Sequence, residues 1–283
     1  MSEVSTSVVR TLPRGSLRGL EKLAVPIADT VNQKAWLKAS TRPIWRYLGK
    51  NFVTGLSKNL YELHGLENLH AMAAPAGMVL ISNHRSFFDL FFTAAVILDE
   101  RSDLVARMCF PVRKDFFFDH PLGLFINVAL TSASMWPPIF RDDRRGEFNP
   151  IAMAQLGEVM RRGTLCGIHP EGTRGKGEDP YALGSAKPGI GQLLLASDPD
   201  VVVLPAWILG MSNDFVGTAK RNFRPAGQRG EPVRIWYGET MRAGDLIARC
   251  GEDPQAIAEA VMEPVAALGA LDRAHRAANP RSA

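Results

Sequence analysis

Apolar runs the length of strands alternate with helical patterns through this chain, and that alternation constrains the fold most. The apolar runs cover residues 78–82, 104–110, 165–169, 201–208 and 233–237. Helical periodicity covers 87–98, 150–162, 190–196 and 254–268. Strands separated by helices predict an α/β fold with a mixed, mainly parallel sheet flanked by helices. A length of 283 residues suits one such domain with a modest appendage. The expected organisation is a basic N-terminal helical segment over 1–60, the domain over 61–270, and a tail over 271–283. That tail, with Asn279, Pro280 and Arg281, reads as frayed.

In open α/β sheets, sites gather at the carboxyl ends of strands. The first apolar run leads into Asn83-His84-Arg85-Ser86-Phe87-Phe88-Asp89. A histidine at a strand-to-helix turn, with a carboxylate in the next helical turn, can act as an oriented general base. Its imidazole titrates near neutral pH, and the carboxylate fixes the tautomer. The same stretch also reads as a capping box, Ser86 to Asp89, with His84 a satisfied loop histidine.

The third run leads into His169-Pro170-Glu171-Gly172-Thr173-Arg174-Gly175-Lys176-Gly177. Its glycines let backbone N–H groups approach an anion, and Arg174 offers a planar fork for phosphate. Gly177 follows Lys176 where a P-loop has Ser or Thr, which excludes a nucleotide site. The plain alternative is a surface turn with a Glu171–Arg174 pair. Arg141 leaves an apolar segment at Pro138-Ile139-Phe140, to enter a cleft or to join a solvated loop. The run over 201–208, with Pro205, reads as buried core.

Charge is uneven. Residues 1–60 hold ten Lys/Arg and three Asp/Glu, a net +7, and the remainder carries −3. Lys34, Lys38, Arg42, Arg46 and Lys50 recur every four residues, flanking an apolar face of Trp45, Leu48, Phe52 and Leu56. Arg10, Arg14, Arg18 and Lys22 share that spacing, but Pro13, Gly15 and Pro26 predict irregular or short helical structure over 1–30. A basic, aromatic helix suits an anionic membrane surface; packing on the body with a solvated basic side is the alternative.

Residues 1–9 are polar and lack the core of a signal peptide. The near-apolar stretch over 122–140 is interrupted by Asn127, Thr131, Ser132, Ser134 and two prolines, so no spanning helix is expected. Cys109, Cys166 and Cys250 show no metal or redox spacing and read as reduced, buried hydrophobes. The expected location is cytoplasmic, peripheral on the inner face of the membrane.

Taken in order, the blocks resemble the glycerolipid acyltransferase superfamily over about residues 61–240. They are Asn83-His84-x-Ser86-x-x-Asp89, Ile139-Phe140-Arg141, Pro170-Glu171-Gly172-Thr173-Arg174 and Val203-Leu204-Pro205. Gly65-Leu66-Glu67-Asn68 and Ala186-Lys187-Pro188-Gly189 are similar to flanking family features, and Lys114 falls where a family lysine is common. Two departures stand out: Pro137-Pro138 opens the second motif, and His169 replaces an aromatic before the third.

The resemblance implies transfer of a fatty acyl group to a lysophospholipid hydroxyl, with 1-acyl-glycerol-3-phosphate the expected acceptor. The co-substrate would be acyl-CoA or acyl carrier protein, with no metal or prosthetic group. His84 would be the base and Asp89 its orienter. Arg141 and Arg174 would bind the acceptor phosphate. Glu171 would hold Arg174 or the loop, with Gly172, Thr173 and Lys114 completing the substrate site. Ser86 would cap the helix. Glycerol-3-phosphate or another lysolipid is the alternative acceptor. More remote readings are a metal-dependent hydrolase using His84, Asp89, His169 and Glu171, and a non-catalytic membrane-binding protein.

Overall fold

The computed structural model describes residues 11–13, 15–142, 144–161 and 163–279. Nine strands are present among them: β1 (Tyr61–His64), β2 (Met78–Ser82), β3 (Arg107–Cys109), β4 (Val112–Arg113), β5 (Pro138–Ile139), β6 (Thr164–Ile168), β7 (Val202–Leu209), β8 (Val233–Tyr237) and β9 (Met241–Arg242). The main sheet runs β1-β8-β7-β2-β6-β3, with β9 added beside β7, and β4 and β5 form a separate parallel pair. Pairs β1–β8, β7–β2, β2–β6 and β6–β3 are parallel; β7–β8 and β7–β9 are antiparallel. The sheet is therefore mixed and mainly parallel, as the alternating pattern predicts.

All five residues of β2 are buried. A strand covered by helices on both faces has no need for alternating polarity, which is why its sequence is an unbroken apolar run. β2 and β8 occupy the bounds expected from sequence. β3 is shorter, because it is an edge strand that pairs with β6 over only three positions.

The N-terminal segment departs from expectation. Residues Glu21–Gln33 form a helix with Pro26 inside it, where a break is predicted. Pro26 lacks a donor and crowds the preceding turn. Burial of Ala24, Val25, Ala28 and Asn32 outweighs that cost. Asn32 donates to the Ala133 carbonyl at 2.8 Å. Lys38, expected among solvated cations, is buried and donates to the Ser132 carbonyl and Ser134 hydroxyl at 3.0 and 2.9 Å.

The expected Trp45–Leu48–Phe52–Leu56 face is also split. Residues Ile44–Gly49 wind as a π-helix, whose wider turn carries Leu48 farther round the axis from Trp45. Trp45 is buried, whereas Leu48 and Phe52 are exposed. The segment therefore packs on the body and still presents apolar side chains outward: Leu23, Ile27, Trp36, Tyr47, Leu48 and Phe52. Arg10 and Arg14 lie outside the described residues.

At the other end, helix Pro254–Ala278 continues well past Leu268, through residues expected to be frayed. Its last turns are held by polar contacts. Buried Asp272 accepts from Arg234 Nε at 2.7 Å, Trp236 Nε1 at 3.0 Å and the Tyr181 hydroxyl at 2.9 Å. Residues 280–283 lie outside the described part. No helix among the described residues is long and apolar enough to cross a membrane.

Candidate functional site

β2 ends at Ser82, and the buried Asn83 side chain then imitates one more rung of the sheet. It donates to the Ile208 carbonyl at 2.9 Å and accepts from the Ile208 N–H at 2.8 Å. The chain turns out of the sheet at His84, and helix Asp89–Glu100 begins five residues later.

Asp89 governs this turn through one oxygen. Oδ2 accepts the backbone N–H groups of Arg85 at 2.7 Å and Ser86 at 2.6 Å, and lies 3.4 Å from His84 Nδ1. The half of a capping box in which the acid reaches back is thus present. The other half is not. Ser86 Oγ accepts from Phe88 N at 3.2 Å inside the turn and donates to the Ser212 carbonyl at 3.1 Å, and the helix has no side-chain cap. An acceptor at Nδ1 favours the tautomer that leaves Nε2 as the basic nitrogen.

Burial pushes the His84 pKa down to about 4, with the Arg174 and Arg141 charges adding to the effect. Burial pushes Asp89 up to about 6, against the pull of His169 and the Ser86 and Arg85 N–H groups. At neutral pH the pair is therefore imidazole and carboxylate, the state a general base requires.

The loop after β6 closes over His84. Glu171, buried, accepts the His84 N–H through Oε1 at 2.9 Å and the Gly184 N–H through Oε2 at 2.6 Å. Gly175 N donates to the His84 carbonyl at 2.8 Å. Both polar groups of the His84 backbone are therefore tied to this loop. Gly172 in this loop has φ +65°, the left-handed backbone region that favours glycine. The expected Glu171–Arg174 pair does not form, because both Glu171 oxygens serve backbone donors. Arg174 instead donates to Asn213 Oδ1 at 3.0 Å, and that oxygen also accepts Phe87 N at 2.9 Å. Arg141 donates to the Gly172 carbonyl. Thr173 is exposed on the same loop.

Lys114 is committed elsewhere. Its ammonium pairs with Glu21 at 2.8 Å and with Asp119. Burial opposes its charge, but hydrogen bonds to Asp119 and Glu21 raise its pKa. Glu21 also takes Arg145 Nη1 at 2.8 Å. The N-terminal helix is thereby tied to both flanks of the β4–β5 pair that leads to Arg141.

His169 stacks on His84, with ring centres 3.7 Å apart and planes 10° apart. Its Nδ1 lies 3.1 Å from the Ser82 carbonyl. Burial and the neighbouring His84 hold its pKa down to about 3. Donor atoms of His84, Asp89 and His169 fall within 4.8 Å of one another. Imidazole lone pairs lie in the ring plane, so two parallel stacked rings cannot aim at one ion without reorienting. Glu171, counted as a fourth ligand in the metal-hydrolase alternative, has both oxygens on backbone N–H groups. The arrangement suits proton transfer by a fixed imidazole better than metal ligation.

The sequence offered no sign of the parts played by Asn83, Gly184 and Asn213. Each acts through a partner distant in the chain or through a backbone group.

A family model described as Acyltransferase matches residues 61–209, just over half the chain. No curated protein sequence matches. Among solved structures, the chain is similar to the crystal structure of the 1-acyl-sn-glycerophosphate (LPA) acyltransferase, PlsC, from Thermotoga maritima. That similarity has 16% identity and a TM-score of 0.48, covering 92% of this chain and 85% of that one.

Proposed function

The chain belongs to the acyltransferase family, and on that premise we propose that it acylates the free hydroxyl of a lysophospholipid, with 1-acyl-glycerol-3-phosphate the first acceptor to test. The donor is an acyl thioester, on CoA or acyl carrier protein. The observation that carries this reading is the neutral His84 aligned on Asp89, beside a loop flanked by Arg141 and Arg174.

His84 Nε2 takes the proton of the acceptor hydroxyl as that oxygen attacks the thioester carbonyl carbon. The C–O bond forms, the C–S bond breaks, and the leaving thiolate takes the proton back from the imidazolium. Asp89 steadies that imidazolium. General-base help of this kind contributes ~10²–10⁴ in rate. Arg141 and Arg174 bind the acceptor phosphate, where charge-assisted hydrogen bonds are strongest. Ser86 acts as a hydrogen-bonding turn residue, not as a nucleophile, because its hydroxyl hydrogen is directed to the Ser212 carbonyl.

The acceptor lives in a bilayer. The exposed apolar side chains of the N-terminal segment, with neighbouring Lys22, Lys34 and Arg42, support peripheral docking on the anionic inner face of the membrane. Radiolabelled acyl-CoA and acyl carrier protein, offered with lysophosphatidate, other lysolipids and glycerol-3-phosphate, test the proposal by mass spectrometry of the product. A diacyl phospholipid from a lysolipid supports it. Product from glycerol-3-phosphate alone moves the acceptor to the alternative, and no product from any pair refutes the reading.

A further inference from the structure

A second group of histidines lies across the sheet from His84. β1 is the edge strand, and β8 and β7 separate it from β2. Side chains alternate along a strand, so Glu62 and His64 share one face of β1. Helix Pro254–Ala278 brings His275 to the same place. His275 Nε2 lies 2.6 Å from Glu62 Oε1, and His64 Nε2 lies 3.2 Å from the same oxygen. The three donor atoms fall within 4.8 Å of one another.

The ring geometry separates this cluster from His84 and His169. The His64 and His275 planes cross at 66°, with centres 4.7 Å apart. Rings set at that angle can direct two in-plane Nε2 lone pairs at one point, as the parallel pair cannot. A tetrahedral zinc with nitrogen ligands at about 2.0–2.1 Å has donor atoms roughly 3.3 Å apart. The two separations from Glu62 Oε1, 2.6 and 3.2 Å, need shifts of under about 1 Å to reach that spacing, and the histidine donor atoms lie within 4.8 Å of each other.

The donors are also held in place. His64 stacks on Trp236, with centres 3.9 Å apart and planes 12° apart. The Trp236 indole N–H donates to Asp272, one helical turn before His275. Strand, indole and helix thus fix both rings before any ion arrives, the condition for a well-defined site. All three side chains are partly exposed, which leaves a route in and room for water.

From this geometry we infer that Glu62, His64 and His275 form a divalent transition-metal site of the zinc class. Two imidazole nitrogens and a carboxylate oxygen are a characteristic zinc donor set, with water as the fourth ligand. Ligation requires each Nε2 to be unprotonated, so affinity falls at acid pH. The ion clasps the edge strand to the terminal helix and takes no part in acyl transfer, so the site stands independently of the proposed function.

The full chain, stripped with chelator and dialysed, is titrated with zinc sulfate by calorimetry and with cobalt chloride by visible absorption. One equivalent of zinc is expected, with a cobalt spectrum of low-coordinate type and a zinc-dependent rise in melting temperature. His64→Ala and His275→Ala each weaken binding by more than the roughly 10–100-fold typical of losing a group that only orients a ligand. His84→Ala and His169→Ala keep the full equivalent. Glu62→Gln preserves a neutral acceptor and provides a folded variant if either alanine change unfolds the chain; it is expected to bind more weakly. No uptake by the folded wild-type chain overturns the site. So does uptake unchanged in the Glu62, His64 and His275 variants, which would leave the cluster as a hydrogen-bonded clasp.

Discussion

The imidazole rings of His84 and His169 lie parallel, 3.7 Å apart. The stack fixes the plane of the ring assigned as base, and Asp89 fixes its rotation within that plane. A ring free to tilt would lose both alignments. His169→Phe keeps the stack and loses only the contact of Nδ1 with Ser82, so kcat/KM should stay within about threefold, less than 1 kcal/mol. His169→Ala removes the stack and opens space beside His84. Its kcat should fall further, by up to roughly tenfold, since stacked aromatic pairs contribute about 0.5–1.5 kcal/mol beyond area burial. Steady-state kinetics of the two variants checks this, and equal losses in both would contradict the stacking role.

Glu171 accepts one N–H with each carboxylate oxygen, so no neutral residue replaces it fully. Glu171→Ala takes the acceptor from the half-buried His84 N–H, at about 1–3 kcal/mol, while the N–H of exposed Gly184 can turn to water. Glu171→Gln can accept only one of them and turns its amide hydrogens toward the other. Urea unfolding should show Glu171→Ala the less stable variant, and both should lose kcat more than acceptor KM. A kcat unchanged in Glu171→Gln would show that the His84 backbone needs no such anchor.

The pH profile follows from the shifted pair. His84 must be neutral, which fails only below about 4, and Asp89 must be ionised, which fails below about 6. His169, Arg141, Arg174 and Glu171 surround the pair, and the two protons belong to it jointly. The acid limb of kcat/KM should therefore lie near pH 6. In Asp89→Asn it should move toward 4, over a lower plateau. Stability carries the opposite sign for Asp89. Its folded value is raised, so its contribution is fully present below the unfolded value of 3.8 and lost as pH rises through about 6. Chemical unfolding at pH 5 and pH 8 should find Asp89→Asn gaining on the wild type at the higher pH. A constant difference between the two would refute the raised value.

Membrane docking is better tested by point changes than by deleting residues 1–60. That segment contributes Ala24, Val25, Ala28 and Trp45 to the core, so deletion would unfold the chain. Trp36 and Leu48 are exposed and belong to no buried cluster. Trp36→Ser with Leu48→Ser should weaken co-sedimentation with anionic vesicles several-fold, while acylation of lysolipid below its micellar concentration stays near wild type. Unchanged co-sedimentation would place the contact elsewhere.

What could be read from sequence was local. β2 and β8 were legible to the residue because each is an apolar segment, interrupted in β8 only by Arg234, and bounded by turn residues. His84 and Asp89 were legible because their contact spans five positions. Pro26 misled, since its local cost is outweighed by packing that only the folded chain supplies. Lys38 read as a solvated cation and Asp272 fell within the expected tail, because their partners, Ser132, Ser134 and Arg234, lie far along the chain. Glu171 was expected to hold Arg174, three residues away, or the loop, and it does not pair with Arg174. Its actual partners are backbone N–H groups at His84 and Gly184, which carry no sequence signature.

The central claim is that His84 removes the acceptor proton. The most direct test is single-turnover acyl transfer by His84→Ala, followed by mass spectrometry of the acylated lipid with circular dichroism as the folding control. The account predicts a native spectrum and a rate lower by ~10²–10⁴. Transfer at the wild-type rate by the folded variant would contradict it.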